Sequence, residues 1–379
     1  YDIPLRLVGS EMCIRDSFLP DAFNFSEIWN NMKIAHKIET YTSDGEPVLR
    51  FTVMNSSGVY MEFTNWGARW ITASVPDVQG ALDNVLIGYD SLAGYLEDSY
   101  YMGATIGRFA NRIADASFTI DRKTFHLEAN DGNNTNHGGF SGFHNKVWQW
   151  EELPDGIRFS LYSPDGEGGF PGNIRVITDY RFNEDNELSV RHYAETDCAT
   201  YINMTNHAYF NLNGAGSGSA MEQILQIRAS HYTPVIDAKS IPTGEIASVD
   251  GTPFDFREAK PMGRDIEQAN DQLSYGHGYD HNFVLDKERA GLEKIATAYS
   301  TKSGIKMDVI TDCIGMQLYT ANFIQGQKVQ GGAVCKERDA FCLETQYFPN
   351  SINEPNFTTP LTEAGKSYDT KTVYAFSIA

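Results

Sequence analysis

Strict alternation of apolar and polar side chains between residues 174 and 192 is the feature that most limits what this chain can become. Ile174, Val176, Thr178, Tyr180 and Phe182 alternate with Arg175, Asp179 and Arg181. Glu184-Asp185-Asn186 then supplies a polar turn, and Leu188, Val190 and His192 resume the pattern. A period of two with a short polar break predicts an antiparallel strand pair with one face buried and one face wet. A second hairpin is predicted from Val48–Met54, a turn at Asn55-Ser56-Ser57-Gly58, and Val59–Thr64.

Helical signals are sparse. Ser91 to Asp98 is expected to form a short serine-capped helix, and Arg289 to Ala298 fits either helix or strand. No repeat of 20–50 residues and no low-complexity linker divides the chain. Many closely spaced strands joined by long loops predict an all-β fold, a large antiparallel β-sandwich with few short helices. Residues 1–17 show neither alternation nor a helical stripe, and lack the basic start and apolar run of a signal peptide. Residues 1–30 are therefore read as an N-terminal extension outside the fold, and 31–379 as a single domain. An export signal in front of the present first residue is not excluded.

Charge and cysteine content narrow the function. Asp and Glu number 50 against 30 Lys and Arg, a formal charge of −20. That acidity argues against nucleic acid and against anionic membrane surfaces as partners. No apolar run reaches the length of a membrane span. The five cysteines, Cys13, Cys198, Cys313, Cys335 and Cys342, are odd in number and irregular in spacing. They suggest neither a disulfide framework nor a zinc site, and they fit a reducing, cytoplasmic setting. The glycines of Gly103–Ala114 are not followed by a helix in a βαβ unit, so a dinucleotide loop is not indicated.

Two segments carry chemistry. Thr205–Leu212 sets His207 among amides, a threonine and aromatics, and Phe341–Gln346 sets Glu344 in an apolar run. A histidine and a glutamate meeting in a sugar-sized cleft can exchange protons with a neutral substrate near neutral pH. Structural roles compete for their neighbours: Arg112 can pair with a strand carboxylate, and Asp280 can cap a turn. His126, His144 and His281 read as surface or structural residues.

Taken in order, GRFANRIA at 107–114, NHGG at 136–139, TNHAYFNL at 205–212, YDHNF at 279–283, MQLYTANF at 316–323 and ETQ at 344–346 resemble the aldose 1-epimerase (galactose mutarotase) family. The resemblance runs from about Gly45 to Phe376. It implies a mutarotase-type supersandwich with an open cleft, and an isomerase acting on a small-molecule aldose as monomer or homodimer. It implies that Glu344 is the general base and His207 the general acid, with Asn111, Arg112, His137, Asp280 and Gln317 positioning the sugar. Arg108, in the same motif, is assigned a structural role. Moving a proton off the anomeric hydroxyl and onto the ring oxygen needs no cofactor and no metal. The rivals are a sugar-binding sandwich without catalysis, a glycosidase using Glu344 and Asp280, and a phosphosugar epimerase. Exhaustive EDTA treatment followed by desalting is expected to leave anomer interconversion intact. A loss restored by a divalent ion would contradict this and make His137 and His207 candidate ligands.

Overall fold

The computed structural model describes residues 32–379, and Met32–Ala379 forms one compact unit. The extension read at residues 1–30 lies outside the described residues. The hairpin predicted from alternation is present as Ile174–Phe182 and Glu187–Thr196, with Tyr180 opposite Val190 and Phe182 opposite Leu188. Its turn is held by the Asn183 side chain, whose Oδ1 accepts the N–H groups of Asp185 and Glu187. The early hairpin is also present, as Pro47–Met54 paired with Tyr60–Thr64.

These hairpins belong to two antiparallel sheets. The larger has nine strands and centres on Glu187–Thr196, Ser367–Ile378 and Ile305–Thr311. The smaller has five strands, running in chain order from Lys33–Tyr41 to Leu82–Asn84. The segment left open between helix and strand resolves as the strand Glu293–Tyr299, because its β-branched and small residues pack in a sheet interior. The short helix is Leu92–Leu96. Ser91 precedes it, but its hydroxyl makes no capping bond.

A third, five-stranded sheet positions the site. Asp280–Val284, Gly315–Tyr319 and Cys342–Gln346 are its consecutive neighbours, with Asn282 opposite Gln317 and Gln317 opposite Glu344. Side chains directly opposite one another share a face, and so do residues two apart. Asp280, Gln317, Cys342 and Glu344 therefore lie on one face. Phe283, Met316, Leu318 and Leu343 point the other way, into the main apolar core. That core joins the sheets through aromatic contacts such as Trp70 against Tyr374 (5.4 Å) and Phe210 (5.7 Å).

One ion pair ties the sheets to the loop over the site. Arg69 Nη1 donates to Asp98 Oδ2 at 2.6 Å, and both side chains are fully buried. Asp98 also accepts Tyr89 Oη–H and the backbone N–H groups of Tyr100 and Met102. Arg69 further donates to the carbonyls of Met102 and His144. Removing one partner strands the other charge without water, which typically costs ~3–5 kcal/mol. Asp98→Ala is expected to lower unfolding stability by that order in urea titration. A loss below ~1 kcal/mol would show that the pair does not hold the loop.

Candidate active site

The sequence motifs come together as short strand pairs. Thr205–Asn206 pairs with Thr105–Ile106, and Arg112–Ile113 pairs with Thr135–Asn136. Asn206 fixes the first of these, donating to the Gly103 carbonyl (2.8 Å) and to Tyr180 Oη (3.0 Å). The backbone N–H of His207 then bonds the Ala104 carbonyl, leaving its ring to face the third sheet. Asn111 adopts φ +64°, a left-handed conformation that asparagine tolerates. Gly138 has φ +85°, and a Cβ there would fall 2.1 Å from the Gly107 carbonyl oxygen. Only glycine allows these two loops to touch.

The product is a cleft of about 240 Å³ lined by Asn111, Arg112, His137, His207, Asp280 and Glu344, with Tyr101, Tyr209 and Tyr319 among its walls. Its volume lies below the roughly 300–1,000 Å³ of pockets for drug-sized ligands, which suits a single small ring. His207 Nε2 lies 3.7 Å from Glu344 Oε1, and both side chains are almost wholly buried. Glu344 Oε2 has no hydrogen-bond partner among the described residues. Burial pushes the Glu344 carboxyl well above the usual carboxylate range; the nearby Asp280 charge adds to this and Arg112 opposes it. Burial lowers His207 to about 4. The pair is thereby driven toward its neutral forms.

Six of the seven residues singled out in the sequence line the cleft. Gln317 is not among the lining residues but touches one of them: its Nε2 donates to Asp280 Oδ1 at 2.7 Å, and its Oε1 finds no partner among the described residues. Arg112 lies 2.8 Å from Asp131 and 3.9 Å from Asp280. The ion-pair role considered for it is real and coexists with a place in the cleft wall. Arg108 is wholly structural, donating to Ser163 and to the carbonyls of Pro164, Pro171 and Gly172. His281 is buried and bonded to Gln272 and to the Asp280 N–H, which is structural rather than surface.

Tyr101 and Cys342 join the site although neither belongs to the residues singled out in the sequence. The Tyr101 ring packs against those of His137 (4.6 Å), His144 (4.7 Å) and His207 (6.0 Å); no periodicity flags a residue in an irregular loop. Cys342 Sγ lies 3.6 Å from His207 Nδ1, and its place two residues before Glu344 was a readable signal that it shares the strand face. Donor atoms of His137, His207 and Glu344 lie within 4.8 Å of one another, the one such group of metal-capable side chains among the described residues. His137 Nδ1, however, already accepts the Asn111 backbone N–H at 3.2 Å. Its neutral ring therefore carries the proton on Nε2, and that nitrogen offers a donor, not a lone pair. The trio fits a proton-transfer site better than a metal site.

Comparison with known proteins agrees with this geometry. The family model described as aldose 1-epimerase matches residues 50–375. Galactose mutarotase from Rattus norvegicus is 39% identical over 338 residues, covering 89% of this chain and 96% of its own. Aldose 1-epimerase from Escherichia coli K12 is 35% identical over 336 residues, covering 88% and 96%. The crystal structure of an aldose epimerase homologue from C. elegans superposes with a TM-score of 0.79 at 29% identity, covering 85% of this chain and 97% of that one. With fold, cleft and motif order in agreement over nearly nine-tenths of its length, the chain belongs to the aldose 1-epimerase family.

Proposed function

We propose that this protein is a mutarotase, interconverting the α and β anomers of free hexoses such as D-glucose and D-galactose. The observation that carries the reading is the buried Glu344–His207 pair, 3.7 Å apart in a small polar cleft. Glu344 takes the proton of the anomeric hydroxyl as His207 protonates the ring oxygen. The ring opens to the aldehyde, the C1–C2 bond turns, and closure on the other face returns both protons. Each positioned proton donor or acceptor typically contributes roughly 10²–10⁴ in rate. Asn111, Arg112, His137 and Asp280 hold the sugar hydroxyls, and Gln317 acts by orienting Asp280.

Support comes also from what the cleft lacks for its rivals. Its cation, Arg112, is engaged with Asp131 and Asp280, which leaves a phosphosugar poorly served. Asp280 is committed to Gln317 and Arg112, which disfavours it as the second carboxylate of a glycosidase. A binding module has no use for an acid paired with a base. The same reading includes a single domain from residue 31 onward, consistent with the compact unit Met32–Ala379. It includes action as monomer or homodimer without nucleic acid. No helix among the described residues is long and apolar enough to cross a membrane, and the four described cysteines are free thiols, which suits the cytoplasm.

Between them the two groups must hold one mobile proton. Below about 4 both are protonated and the base is lost. Above the raised value of Glu344 the shared proton leaves and the acid is lost. The rate is therefore expected to form a bell whose limbs belong to the coupled pair. Glu344→Gln is expected to lower kcat by at least ~10²-fold with sugar binding largely kept. His207→Asn is expected to cut turnover strongly and flatten the alkaline limb. Saturation-transfer NMR between the anomeric protons measures all three. Near-normal turnover in Glu344→Gln would remove Glu344 from the mechanism.

A further inference from the structure

The two histidines facing the cleft differ in what their Nδ1 atoms touch. His137 Nδ1 accepts the backbone N–H of Asn111 at 3.2 Å, and the His137 N–H returns a bond to the Asn111 carbonyl, also at 3.2 Å. A backbone amide can only donate. The neutral His137 ring therefore keeps a lone pair on Nδ1 and a hydrogen on Nε2. His207 Nδ1 instead meets the Cys342 sulfur at 3.6 Å, while its Nε2 faces Glu344 Oε1 at 3.7 Å. A thiol can weakly donate or weakly accept, so this contact admits Nδ1–H, and only that tautomer leaves a lone pair on the Nε2 that faces the cleft.

We infer that the two histidines are held in opposite tautomers: His137 as a fixed Nε2–H donor, and His207 with its hydrogen on Nδ1 against the Cys342 sulfur. Only His207 then has a nitrogen in the cleft that can both give up and take back a proton. Cys342 is its positioning residue. This rests on the mutarotase reading and extends it, by assigning which nitrogen of His207 carries the proton and which residue orients the ring.

The proton count closes on this assignment. In opening, the Nε2–H bond of the His207 imidazolium breaks and its proton goes to the ring oxygen. The ring oxygen leaves C1 with the electron pair of their bond. The electron pair of the breaking O1–H bond forms the C1=O double bond, and Glu344 takes that proton. His207 is left neutral with a free pair on Nε2 and its hydrogen still on Nδ1. Reclosure on the other face reverses each transfer. Nδ1–H never leaves, so the sulfur accepts in every state. His137 cannot follow this cycle: taking a second proton would place N–H against the Asn111 N–H.

The partner's neutrality also matters. A carboxylate at Nδ1 would stabilise the imidazolium and blunt its acidity. Burial holds the Cys342 thiol far above its usual range, so it stays uncharged. A flipped ring would exchange the two nitrogens, and stacking opposes that flip. Tyr209 lies nearly parallel to the His207 ring at 5.0 Å, and Tyr101 at 6.0 Å. The same arrangement withholds the His137 lone pair from any ion near Glu344.

Long-range ¹H–¹⁵N spectra of the ¹⁵N-labelled full chain, without sugar and near neutral pH, report which ring nitrogen is protonated. The expected result is Nε2–H for His137 and Nδ1–H for His207. Cys342→Ala is expected to mix the His207 tautomers and to lower kcat about tenfold with KM within about twofold, the low end of the ~10–100-fold seen when a histidine ligand loses the partner that fixes its tautomer. Cys342→Ser, which keeps an acceptor, is expected to restore the tautomer and most of kcat. A wild-type His207 protonated on Nε2, or a Cys342→Ala variant unchanged in both tautomer and kcat, would overturn the inference. A wild-type protein with the expected tautomers but no anomer interconversion would refute the mutarotase reading, and with it the assigned proton path.

Discussion

Burial of an acid–base pair is the constraint on which this structure depends. Glu344 and His207 meet with almost no water, so each is pushed toward its uncharged form: the carboxyl upward, the imidazole down to about 4. The two shifts run in opposite directions: the carboxyl gains proton affinity and the imidazole loses it. One proton can then pass between substrate and protein in either direction. That is the demand of a reaction whose forward and reverse steps are chemically alike.

The rest of the fold keeps this pair dry and aligned. Three strands in unbroken register put Asp280, Gln317, Cys342 and Glu344 on one face. A one-residue slip in any of them would turn its polar side chains into the core. On the opposite wall, Asn206 and Tyr180 fix the strand that precedes His207, and the buried Arg69–Asp98 pair holds the loop bearing Tyr101. Under the proposed mechanism none of these groups handles a proton, yet each limits where Glu344 and His207 can sit.

Much of this was legible in the sequence, for physical reasons. Alternation at 174–192 fixed that hairpin's register, because only one face of the pair meets the core. His207 and Glu344 stood out because a titratable group in an apolar frame needs a partner. The seven site residues were read through a resemblance carried by six ordered motifs, and six of them line one cleft. Gln317 instead bonds Asp280 from the same sheet face, which residue type alone could not tell. The serine before Leu92 suggested a cap that its hydroxyl does not make. The strand at 293–299 was ambiguous because short apolar segments satisfy either period. Tyr101 was out of reach: its place among three histidines depends on a loop held by an ion pair between residues 29 apart.

Everything above converges on catalysed ring opening and reclosure of free sugars. Polarimetry of freshly dissolved α-D-glucose and α-D-galactose tests it most directly. Optical rotation is expected to relax to the same equilibrium value as in buffer, at a rate that rises in proportion to protein concentration. A time course identical to buffer alone for both sugars, from folded protein, would contradict it and leave a sugar-binding sandwich without catalysis.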